Sequence, residues 1–152
     1  MESPSELSMP PTFFIRQQDI LPVDVMAKAN VTIIGCGAVG SMMAVNLAKM
    51  GIGNLTLYDD DKVEPHNLPV QFYRVSDLGQ FKVTALKSIL EAFGCGNVTA
   101  ISRPYAAQQI EGIVLSAVDS MDARMRIWKA LKVNRKVRLH LDTRMGAEVG
   151  KI

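Results

Sequence analysis

The chain has 152 residues, of which 48% are hydrophobic and 21% are charged; this is enough apolar material for one globular domain and too much for a disordered chain. Lys and Arg number 17 against 15 Asp and Glu, a near balance that excludes the strong basic character of a nucleic-acid or membrane-surface protein. The two cysteines, Cys36 and Cys95, are too few for a disulfide framework and form no CxxC zinc pair. We therefore expect a cytoplasmic protein with no zinc site, no nucleic-acid partner and no membrane association.

Residues 1–12 are rich in Ser, Pro and Glu, and Pro10-Pro11 disfavours a helix, so we predict a flexible arm before a domain at 13–152. A short helix is compatible with 17–29. Short β-branched runs then alternate with longer helical patterns. The predicted strands are 31–34, 54–58, 97–101, 112–118 and 137–141, and the predicted helices are 38–50, 80–93 and 120–133. This alternation predicts an α/β, three-layer Rossmann-like fold, with a mostly parallel sheet and helices on both faces.

Two of these helices carry apolar side chains at helical spacing, which predicts the faces that they bury. The apolar positions are Phe81, Ala85, Ile89 and Phe93 in one helix, and Met121, Met125, Trp128 and Leu131 in the other. The link at 59–79 is long for a compact domain, and long ordered loops are usually functional. Arg124, Arg126 and five further basic residues up to Arg138 are interpreted as the solvated surface of the last helix and the turn after it.

A glycine motif follows the first strand and begins the first long helix. Gly35, Gly37 and Gly40 have the GxGxxG spacing of a nucleotide-binding loop, which Ala38 and Val39 complete. Asp59 ends the second strand, 24 residues after Gly35, where a carboxylate can accept hydrogen bonds from ribose hydroxyls. These residues alone fit an NAD(P)-binding oxidoreductase equally well, and the glycines alone fit a simple strand–helix turn.

Past Asp59 the chain departs from a plain dinucleotide-binding domain. It reads Asp59-x-Asp61-x-Val63-x-x-x-Asn67-Leu68, then Gly79-x-x-Lys82, then Asp119 with Arg124 five residues later. An earlier segment reads Phe14-Ile15-Arg16-Gln17-Gln18. Together these motifs resemble the ThiF/MoeB/ubiquitin-activating-enzyme superfamily of adenylating enzymes.

The resemblance implies a role for each matching residue. Asp59 would bind the ribose, Asn67 would lie near the phosphates, and Lys82 would contact the triphosphate. Asp119 would be associated with Mg²⁺, a cation that prefers hard oxygen ligands. Simpler interpretations stay open, because Lys82 could be a solvated surface lysine and Asp119 could only cap the following helix. Asp60 and Asp61 are interpreted as a solvated loop, and the alternative for Asp61 is a contact with the ligands of the metal ion.

In dimeric members of the superfamily, the arginine that matches Arg16 reaches into the partner's active site. The resemblance therefore implies a homodimer with Arg16 acting in trans on the catalytic site. It also implies an ATP-dependent adenylyltransferase that uses Mg²⁺. Its substrate would be the C-terminal glycine carboxylate of a ubiquitin-like or sulfur-carrier protein. The alternatives are an NAD(P)-dependent oxidoreductase and a non-catalytic nucleotide-binding interaction module.

The sequence also departs from the superfamily pattern. Val70 stands where the pattern has an arginine, and Arg74, four residues on, is a candidate to compensate. The later half of the pattern, with its CxxC zinc pairs, has no counterpart, so we expect the domain to lack its C-terminal part. Arg144 follows the last predicted strand and is hypothesised to face the acyl substrate.

Overall fold

The computed structural model describes residues 11–145 and 150–151. Five parallel strands form one sheet in the order β3-β2-β1-β4-β5. Their bounds are β1 (Asn30–Ile34), β2 (Asn54–Tyr58), β3 (Asn97–Ile101), β4 (Gly112–Ser116) and β5 (Val137–Asp142). Four helices accompany them, α1 (Val23–Lys28), α2 (Ala38–Lys49), α3 (Lys82–Ala92) and α4 (Met121–Leu131), and β6 (Arg144–Met145) pairs antiparallel with β7 (Gly150–Lys151). The predicted α/β Rossmann-like fold is confirmed.

Two apolar clusters cover opposite faces of the sheet because side chains alternate along each strand. Ile33 lies in the larger cluster, which α2 and α3 cover, and its neighbour Ile34 lies in the smaller one, to which α4 contributes Ile127 and Leu131. The helix that follows β1 therefore packs on one face, and the helix that follows β4 packs on the other. Since β1 and β4 are adjacent, a crevice opens between them at the carboxyl edge of the sheet.

The predicted strands at 54–58 and 97–101 have the observed bounds, whereas the fourth ends at Ser116 and the fifth continues to Asp142. The predicted helix at 17–29 is shorter in the structure, where α1 begins after Pro22. Proline lacks an N–H and keeps the preceding residue out of the helical region, so residues before it form turns instead. The predicted flexible arm lies almost wholly outside the described residues and stays a prediction.

Of the four apolar positions predicted for the buried face of α4, Leu131 is confirmed and the other three are wrong. Met121, Met125 and Trp128 are each at least half exposed, while Ile127 and Leu131 are buried. Leu131 shares a helix face with Ile127, four residues earlier, and this face packs on the sheet. Phe81 was predicted to lie on the buried face of the helix that is α3 in the structure. It is exposed instead, and it is the N-cap residue of α3. No helix among residues 11–145 is both long enough and apolar enough to cross a bilayer.

Candidate functional site

A cleft of about 550 Å³ opens at the carboxyl edge of the sheet, over the crevice between β1 and β4. The glycine loop forms its floor, and the residues that follow β2 and β3 form one side. The start of α4 and the end of β5 form the other. Its polar and charged lining side chains are Asp59, Asp60, Asp61, Gln71, Lys82, Asp119, Arg124, Arg126 and Thr143. Ligands of open α/β sheets bind at this position.

The glycine loop is built from positions that differ in how much space they have. Gly35 has a φ of 93°, and a Cβ there would lie 2.7 Å from the Ala117 carbonyl oxygen. At Gly40 a Cβ would lie 1.8 Å from the Gly35 carbonyl oxygen. A Cβ at Gly37 would meet no atom within 4 Å, and Gly37 lines the cleft. Gly35 and Gly40 therefore maintain the turn, and Gly37 leaves room for a ligand.

Asp59 is held at the end of β2 by two backbone donors. The Cys36 N–H donates to Asp59 Oδ2 at 2.6 Å, and the Asp61 N–H donates to Asp59 Oδ1 at 2.9 Å. Burial raises the pKa of Asp59 above its ordinary value, and the two N–H groups act in the opposite direction. The carboxylate is thus oriented by the glycine loop, which is the arrangement expected of a ribose-binding acid.

Lys82, the first residue of α3, projects into the cleft although its side chain is buried. Its Nζ lies 2.8 Å from Asp61 Oδ2, and its exposed fraction is 8% against 67% for Asp61. A backbone bond from the Lys82 N–H to the Asp61 carbonyl, 2.9 Å long, joins the two ends of the long link. The interpretation of Lys82 as a solvated surface lysine is therefore wrong.

The long link between β2 and α3 is anchored to the glycine loop. The Tyr73 hydroxyl donates to the Cys36 carbonyl at 2.6 Å, and the Phe72 N–H donates to Ser41 Oγ at 3.0 Å. Both contacts position Gln71, which lines the cleft with a buried Oε1 that has no hydrogen-bond partner among the described residues. An acceptor buried without a partner is costly, so this atom is suited to receive a donor from a ligand or its water.

Three residues of the link that the motifs singled out do not line the cleft. The Asn67 Oδ1 accepts the Glu64 N–H at 2.9 Å, so this buried side chain caps a local turn. Val70 is 59% exposed. The Arg74 guanidinium donates to both carboxylate oxygens of Asp77 and so is unavailable to replace an arginine at position 70. The contact of Asn67 with phosphates stays a prediction.

Asp119 lies where β4 leads into α4, on the opposite side of the cleft from Asp59. Its carboxylate is exposed to the cleft, and the N-cap of α4 is Ser120, whose Oγ accepts the Ala123 N–H at 3.3 Å. The interpretation of Asp119 as only a helix cap is therefore wrong. An exposed carboxylate at this edge is a suitable ligand for a hard divalent cation.

Arg124 holds the Asp119 segment against β5. Its Nη1 donates to Asp142 Oδ1 and to the Thr143 carbonyl, both at 2.6 Å, and its Nη2 donates to the Val118 carbonyl. Partial burial of Asp142 opposes its ionisation, but hydrogen bonds from Ser116, Arg144 and Arg124 outweigh it and lower its pKa. Arg144 is thus paired with Asp142, 3.2 Å away, and does not line the cleft.

Arg16 lies in the turns before α1, outside the residues that line the cleft. Its side chain is exposed, and its neighbours Phe13 and Ile15 are 67% and 63% exposed. Phe14 between them is buried, close to Gly51. The structure therefore places Arg16 on an apolar surface rather than beside Asp59, Lys82 and Asp119.

Sequence reasoning missed two parts of the cleft. Pro104 and Tyr105, after β3, form an apolar wall in which Tyr105 packs edge-on against Tyr58, with centroids 5.5 Å apart. Arg126 lines the cleft from α4. The sequence analysis placed Arg126 in the basic series from Arg124 to Arg138, which predicted solvated surface rather than a position in the cleft. The loop at 103–108 gave no comparable signal.

The ThiF family matches residues 15–142. The chain is 32% identical over 118 residues to ubiquitin-like modifier-activating enzyme 5 of Caenorhabditis elegans, covering 66% of this chain and 28% of that protein. It is 37% identical over 117 residues to the Drosophila erecta enzyme of the same name, covering 64% and 29%. The chain thus spans less than a third of the length of these relatives.

Solved structures share the fold. E. coli tRNA N6-threonylcarbamoyladenosine dehydratase, TcdA, in complex with ATP, superimposes with a TM-score of 0.76 at 22% identity, over 91% of this chain and 61% of that one. E. coli MccB with MccA-N7isoASN gives 0.81 at 22% identity, over 95% and 46%. At these identities the likeness establishes the fold alone. The match over residues 15–142, with the relatives above, shows that the chain belongs to the ThiF family.

Proposed function

We propose that this chain carries the nucleotide site of an ATP-dependent adenylyltransferase that activates the C-terminal carboxylate of a ubiquitin-like or sulfur-carrier protein. The observation that carries the proposal is the convergence of Asp59, Lys82 and Asp119, from three separate segments, on one cleft beside the glycine loop. Relatives named ubiquitin-like modifier-activating enzymes and a structural neighbour crystallised with ATP support the same chemistry.

In the proposed reaction, an oxygen of the acyl carboxylate attacks the α-phosphorus of ATP. The bond from that phosphorus to the oxygen bridging toward the β-phosphate breaks, pyrophosphate leaves, and an acyl-adenylate remains. A carboxylate is already ionised at neutral pH, so the attacking group needs no general base. Catalysis then rests on positioning and on stabilising charge that moves onto the phosphates.

The cleft residues divide this work by their chemistry. The glycine loop presents backbone at the start of α2, where helical N–H groups favour phosphate. Asp59 would hold the ribose, and the wall at Pro104 and Tyr105 would hold the base, because an apolar surface suits a flat ring. Lys82 would leave Asp61 and bind the phosphate oxygens that gain charge. This exchange replaces one anionic partner by another, so the lysine stays paired.

The lining of the cleft fits a divalent cation. Four carboxylates, at Asp59, Asp60, Asp61 and Asp119, stand against three cationic side chains, so the cleft by itself does not favour a triphosphate. Mg²⁺ held by Asp119 would supply positive charge that neutralises the phosphates. Asp119 is suited to this task because it faces the cleft, whereas the Asp59 oxygens already accept two backbone N–H groups.

Titration calorimetry tests the proposal. The chain is titrated with ATP, in the presence and absence of Mg²⁺, and separately with NAD⁺ as the comparison ligand. We expect Mg²⁺-dependent ATP binding, and we expect Asp119→Asn to weaken it about tenfold through loss of a metal ligand. Asp122→Asn is the matched control, since Asp122 is exposed on the first turn of α4 and does not line the cleft. Preference for NAD⁺ would return the site to hydride-transfer chemistry. ATP binding with no pyrophosphate exchange in the presence of the carboxylate substrate would indicate an interaction module.

We further propose that a second copy of the chain completes the site with Arg16. Arg16 lies outside its own cleft, yet it is exposed next to Ile15 and near Phe13, two exposed apolar side chains that a protein interface would bury. A positive charge supplied in trans would stabilise the transferring phosphate.

We also propose a cytoplasmic location for the protein. The buried thiols Cys36 and Cys95 suit a reducing compartment, and fractionation of cells would check the location.

Subunit mixing tests the role of Arg16. Arg16→Ala and Lys82→Ala proteins should each form acyl-adenylate about 100-fold more slowly or worse, because each dimer lacks one important cation at both sites. Mixed dimers contain one site with both cations intact, so the mixture should recover activity well above either protein alone. If mixing restores nothing while both variants still bind ATP, Arg16 does not act across an interface.

A further inference from the structure

Arg126 occupies the second turn of α4, on the wall that faces the cleft. Ala123 and Ile127 of the same helix also line the cleft, and Ile127 is buried while Arg126 is exposed. Side chains on a helix lean toward its N-terminus. The Cα–Cβ bond of Arg126 is therefore tilted toward the end of α4 where Asp119 stands.

The other two cationic side chains in the cleft are already paired. Lys82 Nζ lies 2.8 Å from Asp61, and Arg124 Nη1 lies 2.6 Å from Asp142 while it also holds two backbone carbonyls. Over residues 11–145, Arg126 is in no ion pair and donates no side-chain hydrogen bond. It is the lining cation that can meet an anion without first leaving a protein partner.

Within the described part of the chain, the opposite wall of the cleft supplies no cationic side chain to the phosphates apart from Lys82. Val70, where the superfamily pattern has an arginine, is 59% exposed and lies outside the cleft lining. Arg74 is held by Asp77, whose carboxylate is 1% exposed. Removing that guanidinium would leave a buried carboxylate unpaired, which is costly. A second cation from this chain, beside Lys82, must therefore reach the phosphates from another element.

We propose that Arg126 binds the phosphates of the nucleotide from α4 and so provides the charge that position 70 lacks. The inference rests on the proposed function. A guanidinium can donate two parallel hydrogen bonds to phosphate oxygens, which gives it both orientation and charge. In the adenylation step it stabilises the pyrophosphate that departs when the bond to the α-phosphorus breaks.

Titrations of ATP and of adenosine distinguish a phosphate contact from a base contact. Arg126→Ala should weaken ATP binding about tenfold and leave adenosine binding unchanged, because adenosine carries no phosphate. The dependence of ATP affinity on salt should also become shallower. Arg126→Lys should recover part of the loss, since lysine keeps the charge without the paired donors. Arg135→Ala is the control, because Arg135 is exposed in the turn after α4 and outside the cleft lining.

Each outcome decides the inference. An equal loss for ATP and adenosine would make Arg126 a base contact and overturn it, as would unchanged ATP binding in Arg126→Ala. Failure of the unmodified chain to bind ATP would overturn the proposed function itself, and this inference with it. Because the first two results require ATP binding by the unmodified chain, they are distinct from the third.

Discussion

Lys82→Ala is expected to lower the rate of acyl-adenylate formation by about 100- to 1000-fold, the loss typical for one donor that stabilises transition-state charge. Lys82 lines the cleft, its Nζ pairs with the Asp61 carboxylate, and its side chain is buried. The cation is therefore held in one position within the cleft. The fold should survive, because the partner left behind is 67% exposed and can be solvated. Pyrophosphate exchange with ATP in the presence of the carboxylate substrate measures the loss.

Lys87→Ala is the matched control for this prediction. Lys87 lies on the same helix, its side chain is 41% exposed, and it pairs with Glu91 across one helical turn. Its removal should leave exchange within about twofold of the unmodified chain, since exposed pairs of this kind contribute little. An unchanged exchange rate in Lys82→Ala, with the fold intact by circular dichroism, would remove Lys82 from the catalytic step.

Gly40→Ala is expected to reduce the free energy of unfolding by about 3 kcal/mol, the upper end of the usual cost of overpacking. The added Cβ would lie 1.8 Å from the Gly35 carbonyl oxygen, which belongs to the backbone and cannot rotate away. Strand β1 and helix α2 would have to separate. This would disturb the packing of Ile33 in β1 and Ala44 in α2, which are both fully buried. Thermal denaturation measures the effect, and a midpoint about 10 °C lower is expected.

Gly37→Ala is the comparison that separates folding from binding. A Cβ there meets nothing within 4 Å and the φ of Gly37 is −76°, so the fold should retain its thermal midpoint. The methyl group would project into the cleft, where the loop must approach a phosphate closely, and ATP binding should weaken about tenfold or more. Equal midpoints for the Gly37→Ala and Gly40→Ala proteins would contradict the packing assigned to Gly40.

The sequence predicted both the short motifs of the site and their location in the fold. The glycine loop, Asp59 and Lys82 each stand at the end of a strand or the start of a helix, and the alternation of strand and helix patterns predicts that these ends meet at one edge. The structure brings them to one cleft, together with Asp119. The spacing of residues along the chain was sufficient because parallel strands all end on the same side.

The direction that each side chain takes depended on hydrogen bonds, some local and some between distant segments. Asn67 and Arg74 lie in the link before α3, where the Glu64 N–H donates to Asn67 and the Asp77 carboxylate accepts from Arg74, and neither side chain lines the cleft. Several partners 18 or more residues apart, such as Arg124 with Asp142 and Tyr73 with Cys36, meet only when the elements that carry them are assembled. No pattern in one segment indicates which of these partners will be nearest.

The sequence by itself determined the α/β order of elements, the nucleotide loop and the family, because these rest on short-range periodicity and on motifs read in one stretch. Only the tertiary structure decided how α4 is rotated, which buries Ile127 and Leu131, exposes Met121, Met125 and Trp128, and turns Arg126 into the cleft. A helix with apolar side chains on more than one face can bury either face, and the choice follows from the sheet face against which it packs and from the hydrogen bonds of Arg124 to β5.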